Sequence, residues 1–265
     1  MKKIVLLFFL SIIFFSCEKD AQLIVENNDI PLISMVLISG ESFIEYSYND
    51  GNLLTEEKSK FTYTKHNYND KNLLTTSEFY VDPAIFSSSN PATDRKEWVN
   101  PDNTAKSLTQ TFEYNDDGHL ARKTYTRPSV TDSEYSEFTF ENDRISRQTM
   151  YWHNVMSFYI DYIYDEKGNL TKESKYHVPS TGIAELWTTT EYEYDDMHNP
   201  FQAFKRLITP SKFTNPNNIT KETYSIYFEV DQWIQNPQIT NNTYEYNENG
   251  YPIKVNGEAE YVYKE

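Results

Sequence analysis

Rings and polar residues alternate along this chain in short runs that all end the same way. The unit is aromatic-x-aromatic, then Asn or Asp, then a turn, then Leu, Ile or Pro. It is clearest in Tyr162-Ile163-Tyr164-Asp165-Glu166-Lys167-Gly168-Asn169-Leu170. Further copies stand at Tyr46–Leu53, His66–Leu73, Phe112–Leu120, Phe138–Ile145, Tyr192–Pro200 and Tyr244–Ile253, and Tyr261-Val262-Tyr263 is a closing half copy. Successive second rings lie 20, 46, 26, 24, 30, 52 and 17 residues apart. A recurring motif of this kind marks a repeat architecture. The two long steps are near twice the others, so each is expected to hold an extra hairpin or a long insertion.

Alternation with period two is a strand with one buried face. The residue between the rings is polar in six of eight copies, Ile163 and Val262 being the exceptions, so the opposite face meets water. Asn/Asp-x-x-Gly after the strand predicts a type I turn followed by a residue at positive φ. Gly51, Gly118, Gly168 and Gly250, four of the seven glycines, read as that residue, with Asn72 and Asn199 standing in where Gly is missing. Helical periodicity is scarce, which predicts an all-β antiparallel meander of about 12–16 strands. A sheet with one aromatic face has to curl on itself or pack on a second sheet.

The N-terminus has a different pattern. Met1-Lys2-Lys3, an apolar run Ile4–Phe15 broken only by Ser11, and then Ser16 are the parts of a secretory signal peptide. The run is far shorter than the about 20 residues a membrane-spanning helix needs. The chain's only cysteine, Cys17, stands at the cleavage point, and Phe14-Phe15-Ser16-Cys17 resembles a bacterial lipobox, departing from its common form at the first position. Such a motif implies cleavage before Cys17 and a diacylglycerol on its thiol. The expected organisation is a leader at 1–16, a lipidated Cys17 and polar tether over 17–34, and one β domain over 35–265. A first apolar strand is expected at Ile30–Ile38.

Charge narrows the partners. With 24 Lys+Arg against 40 Asp+Glu the chain carries −16, which excludes duplex DNA or RNA. Loss of Lys2 and Lys3 with the leader makes the net charge −18, so acyl chains rather than electrostatics would hold the protein at a membrane. One cysteine excludes an intrachain disulfide framework and a cysteine-based metal cluster. Tyrosine supplies 22 of the rings, and its hydroxyls are expected to stay in water. His66, His119, His153, His177 and His198 show no paired-ligand spacing. The acidic turns Asn115-Asp116-Asp117 and Asp195-Asp196 lack a calcium-loop pattern. Neither a nucleophile elbow nor a phosphate-binding glycine loop appears. No cofactor, metal site or catalytic residue is therefore expected.

Tyr-x-Tyr-Asp-x-x-Gly-Asn-Leu resembles the YD repeats of Rhs and teneurin proteins, which form coiled β-hairpin sheets. The order of motifs is more similar still to YD-repeat lipoproteins of unknown function common in Bacteroidota. Tyr192–Phe201 matches their Tyr-x-Tyr-Asp-x-x-x-Asn-Pro-Phe, Asn217–Thr223 their Asn-Asn-x-Thr-Lys-x-Thr, and Tyr244–Pro252 their Tyr-x-Tyr-Asn-x-x-Gly-Tyr-Pro. Glu18-Lys19-Asp20 is also somewhat similar to the short acidic export tag of surface lipoproteins in that phylum. The resemblance implies a curled or solenoid-like sheet of YD-repeat hairpins with an aromatic inner face, anchored in the cell envelope, at the outer membrane. It implies no catalytic residue.

The expected function is accordingly a non-enzymatic binding or display module for a glycan or protein ligand, held at the membrane through its N-terminal lipid. A carbohydrate-active enzyme and a structural subunit of a surface complex are the competing readings. Repeat turns should line one edge of the sheet and the irregular connections the other. The connections Asp82–Asp102, Arg127–Glu134, Val178–Ala184, Thr209–Asn218 and Asp231–Asn241 are assigned to that second edge. Variable loops on a regular scaffold are where binding surfaces form, which makes Trp98 and Trp187 the candidate ligand contacts.

Overall fold

The computed structural model of the chain describes residues 30–87, 95–207, 209–211, 214–229 and 234–264. The leader, Cys17, most of the tether and Trp233 lie outside these residues. The first strands are β1 (Ile33–Ile38), β2 (Glu41–Tyr48), β3 (Leu54–Lys58), β4 (Thr62–Tyr68), β5 (Leu74–Val81) and β6 (Ala105–Tyr114). There follow β7 (Leu120–Arg127), β8 (Val130–Glu141), β9 (Arg144–Trp152), β10 (Val155–Tyr164), β11 (Leu170–His177) and β12 (Glu185–Tyr194). The last are β13 (Ile219–Ile226), β14 (Gln238–Asn241), β15 (Tyr244–Tyr246), β16 (Pro252–Val255) and β17 (Ala259–Tyr263). Among the described residues helix is confined to three short 3₁₀ segments, Pro83–Ser87, Pro101–Asn103 and Gln202–Leu207.

All 17 strands belong to one antiparallel sheet, one more than the upper end of the range read from the repeats. Each strand from β1 to β13 pairs with the next, while β15, β16 and β17 pair in turn and β17 returns to β1. The ladder thus starts at β15, passes through β1 and ends at β14 without closing. Its two edge strands are consecutive in the chain and meet end to end at Asn242-Thr243. Asn242 N donates to Thr220 O at 2.8 Å, and Asn256 N donates to Thr243 O at 2.8 Å. Asn256 Nδ2 donates to Asn242 Oδ1 at 3.0 Å, tying the two sides. A single sheet has curled until its ends touch, leaving edge strands of only four and three residues.

The repeat turns contribute the curl. In each copy the second ring faces the first residue of the next strand across a register shift: Tyr48 faces Leu54, Tyr68 faces Leu74, Tyr114 faces Leu120 and Tyr164 faces Leu170. A bulge at the same place in every hairpin adds twist in the same sense. Left-handed backbone follows where expected at Gly118 (φ 81), Gly168 (φ 95), Gly250 (φ 76) and Asn72 (φ 58). The first copy corrects the reading: Asn52 (φ 57), and not Gly51, takes the slot, because the turn is counted from Asn49, whose carbonyl accepts from Asn52 N at 3.0 Å. Asn199 is not left-handed either, for the reason given below. The two long steps hold insertions rather than extra hairpins. One lies between β5 and β6; the other is divided between the β12–β13 turn and the β13–β14 connection.

The inner face packs Leu54, Leu74, Leu120 and Leu170, each 1% exposed, between the rings of neighbouring copies. Tyrosine hydroxyls were expected to stay in water, and here the structure overturns the expectation. Tyr68 donates to Leu54 O at 2.8 Å, Tyr114 to Leu74 O at 2.9 Å and Tyr164 to Ile145 O at 2.9 Å. Tyr194 donates to Leu170 O at 2.5 Å, Tyr244 to Ile219 O at 2.9 Å and Tyr263 to Pro252 O at 2.6 Å. Tyr48 starts the series on Ile33 O at 2.8 Å. These carbonyls face inward at the bulge, where the ladder leaves them a free lone pair. Each hydroxyl therefore locks one hairpin to the preceding one.

Candidate functional site

One repeat turn departs from the others. In the ordinary Asp165 turn, Asp165 N donates to Asn169 O at 2.9 Å and Asn169 N returns to Asp165 Oδ1 at 2.8 Å. The Asp195 turn closes in the same way: Asp195 N donates to Asn218 O at 3.1 Å, and Asn218 N to Asp195 Oδ1 at 3.1 Å. The partner stands 23 residues on instead of four. The turn's closing hydrogen bonds are kept while a long excursion leaves from its middle, which is why Asn199 has no left-handed role.

The excursion folds back over the inner face. Phe204, 2% exposed, sets its ring edge-on to Tyr46 at 5.0 Å, and Phe201 packs edge-on to Tyr261 at 5.7 Å. Buried asparagines satisfy the backbone it covers. Asn215 Oδ1 accepts from Leu170 N at 2.8 Å, Asn217 Oδ1 from Asn169 Nδ2 at 3.0 Å, and Asn217 Nδ2 donates to Met197 O at 2.8 Å. Asn199 N donates to Pro216 O at 2.9 Å, closing the base of the loop.

Beneath the excursion lies a cavity of about 470 Å³. Its apolar wall sets the rings of Phe43, Tyr46, Phe201, Tyr244 and Tyr261 among aliphatic side chains such as Ile38 and Ile44. Burial pushes the Tyr46 and Tyr244 hydroxyls well above the usual phenol range and Tyr261 up to about 12, so all three stay neutral. The polar wall is Glu57, Glu222 and four asparagines, Asn199, Asn218, Asn242 and Asn256. Among the described residues no Lys, Arg or His lines it. Glu57 Oε1 lies 3.0 Å from His66 Nε2, whose Nδ1 meets Ser77 Oγ at 2.8 Å. Glu222 has no ion-pair partner among the described residues.

Asn218 is the unusual member. It is 3% exposed, and its Nδ2 donates to both Asp195 oxygens, at 3.2 and 3.1 Å. The amide cannot be turned over, because its oxygen would then face a carboxylate. Oδ1 is left on the other side, buried and without a hydrogen-bond partner. Asp195 is itself held, accepting from Met197 N at 3.1 Å and from the Tyr246 hydroxyl. A buried amide oxygen left unpaired costs on the order of 1–3 kcal/mol, and orphans of this kind call for an explanation.

The residues singled out from sequence lie elsewhere. Trp98 is half-buried in the connection before β6, with Lys60 Nζ 4.5 Å above its ring. Val99 N donates to Ser59 O at 3.0 Å, so that segment is latched onto the β3–β4 turn. Trp187 is half-buried on β12, stacked on His177 at 4.1 Å with Phe228 at 5.4 Å. The two tryptophans sit on separate elements, and neither lines the cavity. The segment Thr209–Asn218, assigned to the connection edge, belongs to a repeat turn and so to the opposite edge. The signal for the site was present in the sequence as a turn without Gly followed by the longest step, 52 residues. Of the remaining histidines, His119 stacks on Phe140 at 4.4 Å and His198 on Tyr251 at 4.8 Å, while His153 lies 3.4 Å from Asp132. Among the described residues no three His, Cys, Asp or Glu side chains gather as a metal-ligand set.

No family model matches the chain, and no curated protein matches its sequence. Among solved structures it is similar to a porin-like protein from Bacteroides uniformis ATCC 8492, at 12% identity over 88% of this chain and 96% of that one, with a TM-score of 0.40. A porin-like protein from Bacteroides vulgatus ATCC 8482 shares 9% identity over 88% and 99% of the two chains, TM-score 0.38. A DUF3836 family protein from Parabacteroides distasonis ATCC 8503 shares 14% identity over 42% and 91%, TM-score 0.28. At these scores the likenesses carry no argument. The fold assignment rests on the strand pairings above.

Proposed function

We propose that the chain is a lipid-anchored, non-enzymatic binding module of the cell envelope, built as a YD-repeat β-sheet, whose ligand enters the cavity under the expanded Asp195 turn. The lipobox-like segment at Cys17 supports the address. The observation that carries the binding role is the cavity itself: about 470 Å³ under the excursion, faced by rings and two carboxylates, with no Lys, Arg or His among the described lining residues. Regular turns hold the sheet, and the one turn that is elaborated makes a pocket. This is how repeat scaffolds carry function.

The test is a glycan array run on the mature protein beside a variant in which residues 196–217 are replaced by Glu-Lys-Gly. Binding is expected for the first and absent for the second. Trp98→Ala and Trp187→Ala serve as controls, and loss of binding in these with the cavity variant unaffected would move the site to the connection edge. For the address, Cys17→Ser is expected to leave the precursor uncut or release the protein from membranes; unchanged processing and partitioning would remove the anchor. Glu57 and Glu222 facing one cavity also favour a second reading, glycoside hydrolysis. Turnover of a bound glycan, abolished by Glu57→Gln or Glu222→Gln, would establish it.

A further inference from the structure

The hydrogen-bonding capacity left over in the cavity is lopsided. Asn242 and Asn256 spend their amides on the seam, Asn256 Oδ1 accepting from Thr243 N at 2.9 Å and Asn242 Nδ2 donating to Ile219 O at 3.0 Å. The Tyr244 hydroxyl is committed to Ile219 O, and Asn199 Oδ1 accepts from Phe201 N at 2.9 Å. What remains is the Glu222 carboxylate, the second oxygen of Glu57 and the hydroxyls of Tyr46 and Tyr261, with more acceptors than donors and all of the charge negative. A half-buried carboxylate without a counter-charge is costly, and a neutral ligand covering it would increase that cost. A cation removes it. Tyrosine and phenylalanine rings lining the same cavity attract a cation that meets their faces. The protein's net charge of −16 adds a field of the same sense.

We propose that the cavity recognises a primary ammonium group, placed against the Glu222 carboxylate with the rings of the wall covering the body of the ligand. The inference rests on reading the cavity as the binding site. An amino sugar and an aliphatic diamine share this chemistry. The sugar adds hydroxyls for Glu57 and the tyrosine hydroxyls; the diamine offers a methylene chain to the rings.

Calorimetric titrations of the full mature chain with glucosamine, N-acetylglucosamine, glucose and cadaverine test it. Glucosamine or cadaverine, or both, should bind at least tenfold tighter than the acetylated and neutral sugars, and the tighter of the two names the source. Glu222→Gln, close in shape and on a residue with no partner to lose, should weaken the amine at least tenfold with an unchanged melting curve. Glucose or N-acetylglucosamine binding as tightly as glucosamine would overturn the inference while leaving a glycan-binding cavity. Amine binding untouched by Glu222→Gln in a folded protein would overturn it by placing the amine elsewhere. If neither amine nor sugar binds, the inference and the cavity reading fall together. Should Glu222→Gln fail to fold, the comparison of glucosamine with its acetylated form on the unmodified protein still decides the matter.

Discussion

The Asp165 and Asp195 turns are the same turn with different contents. Both begin on the second ring plus one, both are closed by an aspartate accepting from the backbone N–H of an asparagine, and in both the strands leave in the same register, Tyr164 facing Leu170 and Tyr194 facing Ile219. One holds three residues between its ends, and the other holds a loop carrying two phenylalanines into the core. The comparison teaches that the repeat is defined by its closing hydrogen bonds rather than by its length. A loop whose ends are already pinned pays little additional closure entropy for being long. A scaffold of this kind can place a cavity wall at one turn without disturbing its neighbours.

The strongest way to break the comparison is to make the two turns alike. Replacing residues 196–217 by Glu-Lys-Gly should retain the β-sheet spectrum but cost about 3–5 kcal/mol in urea unfolding, because the Phe204 ring leaves the core. Collapse of the sheet would show that the excursion, not the closing aspartate, holds that hairpin. Next, Asp195→Ala strands the N–H of Met197, both N–H groups of Asn218 and the Tyr246 hydroxyl, for a loss of about 3–4 kcal/mol. Asp165→Ala, whose carboxylate accepts from Asn169 and from the backbone N–H groups of Gly168 and Lys167 but holds no tyrosine hydroxyl, should lose about 2 kcal/mol by the same measurement. Equal losses would mean the two closures carry the same load.

The hydroxyl locks recur along the sheet and titrate in the same sense. Burial raises Tyr48, Tyr114, Tyr164, Tyr194 and Tyr263 above the ordinary tyrosine value of 10.0. Above pH 10 the unfolded chain therefore loses protons that the folded one keeps. Their contribution to stability is complete below pH 10 and falls as pH rises, by about 1.4 kcal/mol per pH unit for each tyrosine. Urea midpoints that stay level from pH 9 to 11 would contradict the locks. Glycine offers a finer contrast. Gly118 and Gly168 are both left-handed, but a Cβ at Gly118 meets nothing within 4 Å, whereas at Gly168 it lies 2.8 Å from the Arg144 guanidinium. Gly118→Ala should cost about 1 kcal/mol from backbone strain alone, and Gly168→Ala somewhat more. The smallest effect is expected at Phe140, the one full copy whose second ring has no hydroxyl. Phe140→Tyr would place a donor near Leu120 O and should gain about 0.5 kcal/mol in thermal unfolding, with Tyr114→Phe losing about 1 kcal/mol.

Much of the scaffold was legible in the residues. Period-two alternation is a local property of the strand, and Asn or Gly four positions into a turn is a local steric requirement. The hairpins, their inner face and the slots at Gly118, Gly168, Gly250 and Asn72 could accordingly be read off directly. The single miss in the first copy, Gly51 for Asn52, is a one-residue choice between two permissive residues. The candidate site was far less legible. Aromatic residues between repeats drew attention to Trp98 and Trp187, but they are side chains on separate elements, each with one face already occupied.

What the chain determines alone is the hairpin: strand, bulge, turn and return, set by backbone geometry within about ten residues. Where a tyrosine hydroxyl goes is decided only on curling, since its carbonyl lies 14 residues back for Tyr68 and 40 for Tyr114. The same holds for the meeting of β14 with β15, for the path of the 195–218 excursion, and for the Asn218 amide held by Asp195. Such contacts join residues at no fixed spacing. They exist because a sheet with one aromatic face must bury it, and what lies inside is settled when its ends meet.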